Sequence, residues 1–175
     1  MFQIRSLCFL VLMFAGSGAA ASVELQGIHA NAVPAMVTMS RMPLRVLVEK
    51  GEFEGGRLIR ATPVESVKKF GKRELWLVRP AKEFKGVSEI IGYLNSIGLE
   101  PAGYRELLEF AIQVPNFLKN GEVVYALGSS ASLQSGVVAW QYFGMKDGKR
   151  FLSDVVDGEG WPIKSYYLAK RKLAK

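Results

Sequence analysis

Lys146-Asp147-Gly148-Lys149 separates two stretches rich in apolar and aromatic residues. Asp-Gly is a residue pair that tolerates two consecutive positive φ angles, as a two-residue β-hairpin turn requires. The stretch before it, Gly136 to Phe143, and the stretch after it, Phe151 to Val156, have the length and composition of strands. We therefore predict an antiparallel hairpin at this point of the chain.

Strand patterns continue on both sides of the hairpin. Val123 to Leu127 is a nearly continuous apolar run, as expected of a central strand. Asp157-Gly158-Glu159-Gly160 is a second turn signal, and Ile163 to Ala169 supplies a last strand. Residues 122–170 are thus predicted to form an antiparallel β-meander.

Between residues 86 and 120 the apolar spacing becomes helical. One predicted helix has Val87, Ile90, Ile91 and Leu94 on a single face. Gly98 follows it at the position of a C-terminal cap glycine. A second helix is predicted to start near Pro101 and to end or kink at Pro115. Its apolar face comprises Tyr104, Leu107, Leu108 and Ala111.

Residues 22–80 form a region of short candidate strands. These are Leu44 to Val48, Arg57 to Thr62, and Glu74 to Arg79, the last closed by Pro80. The sequence leaves open how this region packs on the meander. Residues 22–175 are therefore predicted to be one α+β domain, in which two helices (86–120) pack on one face of the meander sheet (122–170).

The first 21 residues have the pattern of a cleavable secretory signal peptide. Arg5 supplies a basic start, Leu7 to Phe14 is a short apolar run, and Ala19-Ala20-Ala21 fits the cleavage pattern. An uncleaved membrane anchor is the alternative, although a membrane span needs about 20 apolar residues. We expect cleavage after Ala21 and export to the periplasm or the extracellular space.

Cleavage changes the chemistry of the mature chain. It removes Cys8, the single cysteine, so the apolar core must supply the stability without a disulfide. The net charge of the full chain is +7, and the loss of Arg5 leaves +6. This charge suits anionic partners such as nucleic acid, phospholipid or acidic envelope polymers.

Side chains that commonly serve catalysis are scarce in this sequence. The single histidine, His29, lies near the predicted mature N-terminus, where rigid neighbours that would hold a general base are not expected. A zinc site needs three or four His, Cys or carboxylate ligands, and no phosphate-binding glycine loop with its helix is present. We predict no catalytic residue and no cofactor.

Carboxylates are the remaining candidates for catalysis or metal binding. Glu106 and Glu109 flank the apolar stripe of the second helix, where solvated residues are expected. Asp154, Asp157 and Glu159 cluster at a hairpin turn but lack the spacing of a calcium loop. The enzymatic alternative is a hydrolase of cell-wall material, which needs two carboxyl groups about 5 to 9.5 Å apart in a cleft.

A methionine recurs at every third position in Met36-Val37-Thr38-Met39-Ser40-Arg41-Met42. Thioethers are soft ligands, so this spacing in an exported protein suits Cu(I) or Ag(I). A helix would place the sulfurs of Met36, Met39 and Met42 on one stripe. Val37 and Thr38 favour a strand instead, in which Met39 points away from the other two and methionine serves as core packing.

Basic residues form three clusters, two of them near aromatic residues. Cations beside exposed aromatic rings can bind single-stranded nucleic acid or an anionic envelope polymer. We predict such a ligand site at Lys170, Arg171, Lys172, Trp161 and Tyr166. The other clusters are Lys68, Lys69, Lys72 and Arg73 near Trp76, and Lys146, Lys149 and Arg150 at the hairpin turn. The alternative is that these cations only solvate a turn and a tail.

Three stretches carry a resemblance to a known group of proteins. They are Gly98 to Ala111, Ala126-Leu127-Gly128-Ser129, and Tyr167-Leu168-Ala169-Lys170-Arg171-Lys172. In them the chain resembles small uncharacterised proteins of candidate-phylum bacteria, over about residues 86–172. The shared motifs are helix faces, caps and turns. The resemblance implies no activity and no functional site.

The scarcity of catalytic side chains favours a binding protein over an enzyme. We predict an exported, non-catalytic interaction module of the cell envelope. Its partner is expected to be an anionic polymer or another envelope protein.

Overall fold

The computed structural model describes residues 30–54, 70–158, 161 and 165–172. The signal peptide, His29, the candidate strand at residues 57–62, Lys68, Lys69 and Glu159 lie outside these ranges. Within them the chain has a mixed α/β fold of three helices and one open, seven-stranded sheet. The helices are α1 (Leu44–Lys50), α2 (Val87–Ser96) and α3 (Tyr104–Gln113). The strands are β1 (Ala30–Met39), β2 (Gly71–Pro80), β3 (Leu99–Pro101), β4 (Val123–Ser132), β5 (Val138–Lys146), β6 (Lys149–Val156) and β7 (Tyr166–Arg171).

The predicted hairpin is confirmed. β5 and β6 pair antiparallel up to Lys146 and Lys149, and the two turn residues between them, Asp147 and Gly148, have φ angles of 51° and 74°. Two consecutive positive φ angles are the backbone geometry that an Asp-Gly pair tolerates. β4 pairs antiparallel with β5, so β4, β5 and β6 form the first three strands of the predicted meander.

The last strand does not continue the meander, so this part of the prediction is wrong. The strand order is β1-β2-β7-β4-β5-β6, which places β7 between β2 and β4. It runs antiparallel to β2 and parallel to β4. Tyr167, Leu168 and Ala169 are all buried, because a central strand is covered on both faces. β7 thereby joins the N-terminal strands and the meander in one sheet.

The two predicted helices exist, but they pack on opposite faces of the sheet rather than on one. Neighbouring residues of a strand point to opposite sides. Leu77 of β2 packs in the apolar cluster that contains Leu108 of α3. Val78, the next residue, packs in the cluster that contains Leu94 of α2. We call these two sides the α3 face and the α2 face.

The candidate strand at Leu44 to Val48 is helix α1. Pro43 precedes it as the N-cap residue, and proline is compatible with a helix start. Leu44, Leu47 and Val48 then fall at i, i+3 and i+4 and pack against the core of the α3 face. Burial of this apolar stripe outweighs the strand preference of the valines.

Gly128 and Ser129 of β4 contact the segment that leads into α3. The Gly128 amide donates to the Ala102 carbonyl at 2.8 Å, and a Cβ atom at Gly128 would overlap the backbone of Pro101 and Ala102. Ser129 Oγ accepts a hydrogen bond from the Tyr104 amide at 2.8 Å, which satisfies a free donor at the helix start. Two of the stretches that carry the resemblance therefore meet here.

Within the described ranges β1 lies at an edge of the sheet, and a side chain of α3 partly closes that edge. The Thr38 amide donates to Gln113 Oε1 at 2.8 Å, and Gln113 Nε2 donates to the Thr38 carbonyl at 2.9 Å. β1 also contains Pro34, which has no N–H to offer a further strand. Both features reduce unwanted edge pairing.

Candidate functional site

One end of the sheet collects basic residues that are far apart in the sequence. β2 starts at Gly71 and β7 ends at Arg171, and they pair antiparallel with Leu75 opposite Lys170. The start of β2 therefore lies beside the end of β7. β1 also ends here, with Met39 opposite Gly71. We call the exposed cations of this region the basic end; they are Arg41, Lys72, Arg171 and Lys172.

Strand alternation divides the basic residues of β2 and β7 between the two faces of the sheet. Arg73 and Lys170 lie on the α3 face, where both form ion pairs with Glu106. Lys72 and Arg171 lie on the α2 face and are exposed. An external ligand can therefore reach Lys72 and Arg171.

Arg171 is held in position by two residues of β2. Its Nε lies 2.8 Å from Glu74 Oε2, which also accepts a hydrogen bond from Trp76 Nε1 at 3.2 Å. The guanidinium carbon is 5.5 Å from the centre of the Trp76 ring. Trp76 is buried, so its ring supports Arg171 and does not itself offer a stacking surface. The Arg171 side chain keeps 71% of its surface exposed, so an anion can reach it.

Phe70 is an exposed aromatic ring at the same end. It lies between two arginines, with its ring centre 5.5 Å from the guanidinium carbon of Arg41 and 5.9 Å from that of Arg105. Arg105 is buried and donates to the carbonyls of Ser40 and Met42. Cation–π contacts with both arginines hold the ring at the surface. The exposed Arg41 is thus placed beside an exposed ring.

Glu106 and Glu109 are buried, so the prediction that they are solvated is wrong. Their exposed fractions are 0% and 2%. Glu106 Oε2 accepts a hydrogen bond from the Gly103 amide at 2.5 Å, and Glu109 Oε1 accepts one from the Ser40 amide at 2.7 Å. Helix α3 is covered by α1 as well as by the sheet, which its own periodicity could not reveal. Both carboxylates connect α3 to neighbouring segments, and neither lies in an open cleft.

The structure separates the two aromatic residues of the predicted ligand site from its cations. Trp161 is 2% exposed and packs in the core of the α2 face. Tyr166 lies at the start of β7, the end remote from Lys170, Arg171 and Lys172. There its hydroxyl accepts a hydrogen bond from Arg79 Nη1 at 3.1 Å. The aromatic residues near the basic end are instead Phe70 and Trp76.

The three methionines of the predicted soft-metal site do not form a helical stripe, because Met36 and Met39 belong to strand β1. These two side chains point to opposite faces. Met36 is 63% exposed, whereas Met39 is 2% exposed. Met42 packs against the same core as Met39. The arrangement therefore favours core packing for Met39 and Met42.

The acidic turn after β6 caps a helix. Asp157 Oδ1 accepts a hydrogen bond from the Val87 amide, the first residue of α2, at 3.0 Å. Asp154 also interacts with another group of the protein. Across the described ranges, no group of three or more His, Cys, Asp and Glu side chains is arranged to hold a metal ion.

The opposite end of the sheet carries cations that are matched by carboxylates. At the β5–β6 hairpin, Lys149 Nζ lies 2.6 Å from Glu54 Oε1. Near the start of β4, Arg79 pairs with Glu122 at 3.4 Å. Charge of both signs therefore covers this end.

Comparison with protein-family models, curated proteins and solved structures found no match to this chain. The resemblance to candidate-phylum proteins accordingly stays a prediction. In the part of the chain that the structure covers, no helix is long and apolar enough to cross a membrane.

Proposed function

We propose that this protein is an exported, non-catalytic binding module of the cell envelope that holds an anionic polymer at the basic end of its sheet. The observation that carries the proposal is the pairing of β2 with β7. This pairing places the exposed Lys72 and Arg171 on one face, although they are almost a hundred positions apart in the chain.

The distribution of carboxylates supports an anionic ligand. Glu106 and Glu109 are buried and hydrogen-bonded within the protein. Two partly exposed carboxylates lie at the basic end, and each pairs with a cation: Glu74 with Arg171 and Glu100 with Lys170. Among the described residues, the exposed charge at the basic end is therefore mainly positive. A surface of one charge sign attracts oppositely charged ligands and raises their association rate.

The types of cation indicate the ligand groups. The Arg171 and Arg41 guanidinium groups can form paired hydrogen bonds with carboxylate, sulfate or phosphate, whereas Lys72 and Lys172 act as point charges. Such contacts do not depend on the detailed sequence of a polymer, and they weaken steeply with salt. We expect the ligand to be a polyanion recognised by its charge density.

Direct binding tests this proposal. Fluorescence anisotropy with labelled heparin and labelled polyphosphate should show binding that weakens steeply as salt is raised, whereas neutral dextran should not bind. The triple variant Lys72→Gln, Arg171→Gln, Lys172→Gln should lose about tenfold or more in affinity at low salt. The slope of log affinity against log salt should fall by about 1 for each lost contact.

A matched control separates a specific surface from net charge. Lys119→Gln, Lys146→Gln, Lys149→Gln removes the same charge from exposed residues at the opposite end of the sheet. We expect this variant to bind within about twofold of the unaltered protein. Equal losses of affinity in the two triple variants would show that binding depends only on net charge. That result would contradict the proposed surface.

Export is tested separately. The proposal predicts that protein recovered outside the cytoplasm starts at Ser22, which intact mass spectrometry measures directly. A recovered chain that still carries Met1 to Ala21 would contradict cleavage and would support an uncleaved membrane anchor.

A further inference from the structure

Three exposed apolar side chains lie at the basic end of the sheet. Among the described residues, the large apolar side chains with exposed fractions of 40% to 63% are Val33, Met36, Phe70, Val137 and Val138. The first two belong to strand β1. Phe70 directly precedes β2, and Val137 and Val138 lie where β5 begins. Single exposed apolar residues are ordinary, whereas several at one end of a molecule call for a reason.

Strand pairing brings the turn between β4 and β5 to the basic end. β4 runs parallel to β7, with Tyr125 beside Tyr167, so β4 ends at the same end of the sheet as β7. The turn that follows and the first residue of β5 are residues 133–138, which we call the hairpin tip. Strands are about 4.8 Å apart, so the start of β5 is displaced sideways by roughly 10 Å from β7, two strands away. Phe70, before β2, lies on the other side of β7.

The hairpin tip and the exposed cations share one face of the sheet. Trp140 and Tyr142 of β5 pack against the core of the α2 face, and Val138 points to the same side because it is separated from them by even numbers of residues. Lys72 and Arg171 also lie on the α2 face. A single extended surface that approaches this end can therefore contact apolar side chains and cations together.

The hairpin tip lacks the groups that most oppose transfer out of water. Residues 123–145 contain no Asp, Glu, Lys or Arg, and residues 134–138 are all exposed. The Leu133 amide donates to the Val137 carbonyl at 2.8 Å, and the Gly136 amide donates to the Leu133 carbonyl at 2.9 Å. Charged side chains and unpaired amides are costly to move into lipid, so a tip with no charge and two internally paired amides enters it more easily.

We propose that the basic end and the hairpin tip together dock on a bilayer that contains anionic phospholipid. Val137 and Val138 enter the boundary between headgroups and acyl chains, while Lys72, Arg171 and Lys172 hold the phosphate groups. Docking rests on the proposed function, because these cations hold the headgroups as they hold the polymer. The hairpin tip adds an apolar contact that a soluble polymer does not need.

The small apolar area favours a membrane over a protein partner. A stable protein interface buries about 800 Å² on each partner, and three partly covered apolar side chains supply little of it. Interfacial membrane binding needs only a few apolar groups when electrostatic attraction to anionic lipids supplements them. The exposed cations beside the hairpin tip provide that attraction.

Vesicle flotation tests the proposal. The protein should bind vesicles in which about a third of the phosphatidylcholine is replaced by phosphatidylglycerol, and it should bind pure phosphatidylcholine at least about tenfold more weakly. The double variant Val137→Ser, Val138→Ser should bind the anionic vesicles about fivefold to tenfold more weakly, because the apolar contact is lost. Its affinity for heparin should stay within about twofold of the unaltered protein, which also shows that the variant is folded.

Val33→Ser is the matched control for Val137→Ser. The two valines have exposed fractions of 43% and 45%, but Val33 lies opposite Leu77 in the middle of β2. We expect Val137→Ser to weaken binding to anionic vesicles by about threefold and Val33→Ser to leave it nearly unchanged. Equal losses would mean that general surface hydrophobicity determines binding, and the proposed contact would be wrong.

A fluorophore measures insertion directly. Ser135→Cys places an environment-sensitive label at the hairpin tip, and Asn120→Cys places it at the opposite end of the sheet; both variants also carry Cys8→Ser, so that one thiol is labelled. Anionic vesicles should shift the emission of the tip label to shorter wavelength and leave the other label unchanged. No shift at the tip, or the same shift at both positions, contradicts insertion.

The two ligands separate failure of membrane docking from failure of polymer binding. Binding to anionic vesicles that is absent, or that the double valine variant leaves unchanged, overturns membrane docking, whether or not heparin binds. Vesicle binding that depends on the hairpin tip without any binding of heparin or polyphosphate supports docking and overturns the polymer proposal alone.

Discussion

Lys170 of β7 places its Nζ 3.2 Å from Oε1 of Glu106 on α3, and the Glu106 side chain has no exposed surface. Arg73 of β2 pairs with the same oxygen. One buried carboxylate therefore joins a helix to two neighbouring strands. It also pairs with two basic residues of the α3 face, Arg73 and Lys170, whereas Lys72 and Arg171 are the exposed cations of β2 and β7.

We expect Glu106→Gln to lower the free energy of unfolding. Removing one partner of a buried ion pair costs about 3–5 kcal/mol. Arg73 and Lys170 each keep 22% of their side-chain surface exposed, so water compensates in part and we expect a loss of about 2–3 kcal/mol. Urea unfolding followed by circular dichroism measures it.

Glu49→Gln provides the control for this prediction. Glu49 pairs with Arg45 at 3.6 Å on the surface of α1, and 64% of its side chain is exposed. Exposed pairs contribute little to stability, so the urea midpoint should stay nearly unchanged. A comparable loss in both variants would show that burial of Glu106 does not determine its effect.

Gly128→Ala should destabilise the protein more than Ser129→Ala. The added Cβ would overlap the Pro101 and Ala102 backbone, which cannot move without disturbing β3. We expect a loss of at least about 3 kcal/mol, at the upper end of overpacking effects. Ser129→Ala removes only the acceptor for the Tyr104 amide and should cost about 1 kcal/mol. The order of their urea midpoints checks the prediction, and the reverse order would refute it.

Gly92→Ala should stabilise the protein. Gly92 lies in the middle of α2 with nothing within 4 Å of an added Cβ, and alanine in a helix interior is favoured over glycine by about 0.5–1 kcal/mol. Gly98→Ala has equally open surroundings, but Gly98 has a φ of 76°. It should therefore destabilise the protein by about 1 kcal/mol. Melting temperatures that move in opposite directions would verify both expectations.

The parts of the fold that the sequence predicts are those determined by neighbouring residues. The positive φ angles of Asp147, Gly148 and Gly98 follow from local turn and cap chemistry. The position of β7 does not, because Tyr167 contacts Val78 and Tyr125 on strands that are distant in the chain. Periodicity describes one element at a time, whereas strand order depends on contacts between elements.

The same distinction between local signals and distant contacts explains which residues of the candidate site the sequence could predict. The run Lys170, Arg171 and Lys172 is visible in the sequence, but nothing local shows that Phe70 and Arg41 lie at the same end of the sheet. The flanking position of Glu106 on α3 indicates solvent when the helix is considered alone, because its partners Arg73 and Lys170 lie on strands β2 and β7.

Alkaline pH should unfold the protein through its buried tyrosines. Burial raises the pKa of Tyr104 and Tyr167 above the ordinary value, which is near 10 in an unfolded chain. Below that pH both states hold these protons and the contribution to stability is constant. As the pH rises above about 10, the unfolded chain releases protons that the folded chain retains, so stability falls by up to about 1.4 kcal/mol per pH unit for each tyrosine.

Urea midpoints measured between about pH 8 and pH 11 should decline above pH 10, and the double variant Tyr104→Phe, Tyr167→Phe should show a shallower decline. Because only the slopes are compared, the stability that the substitutions themselves remove does not affect the test; equal slopes would mean that other groups cause the alkaline loss.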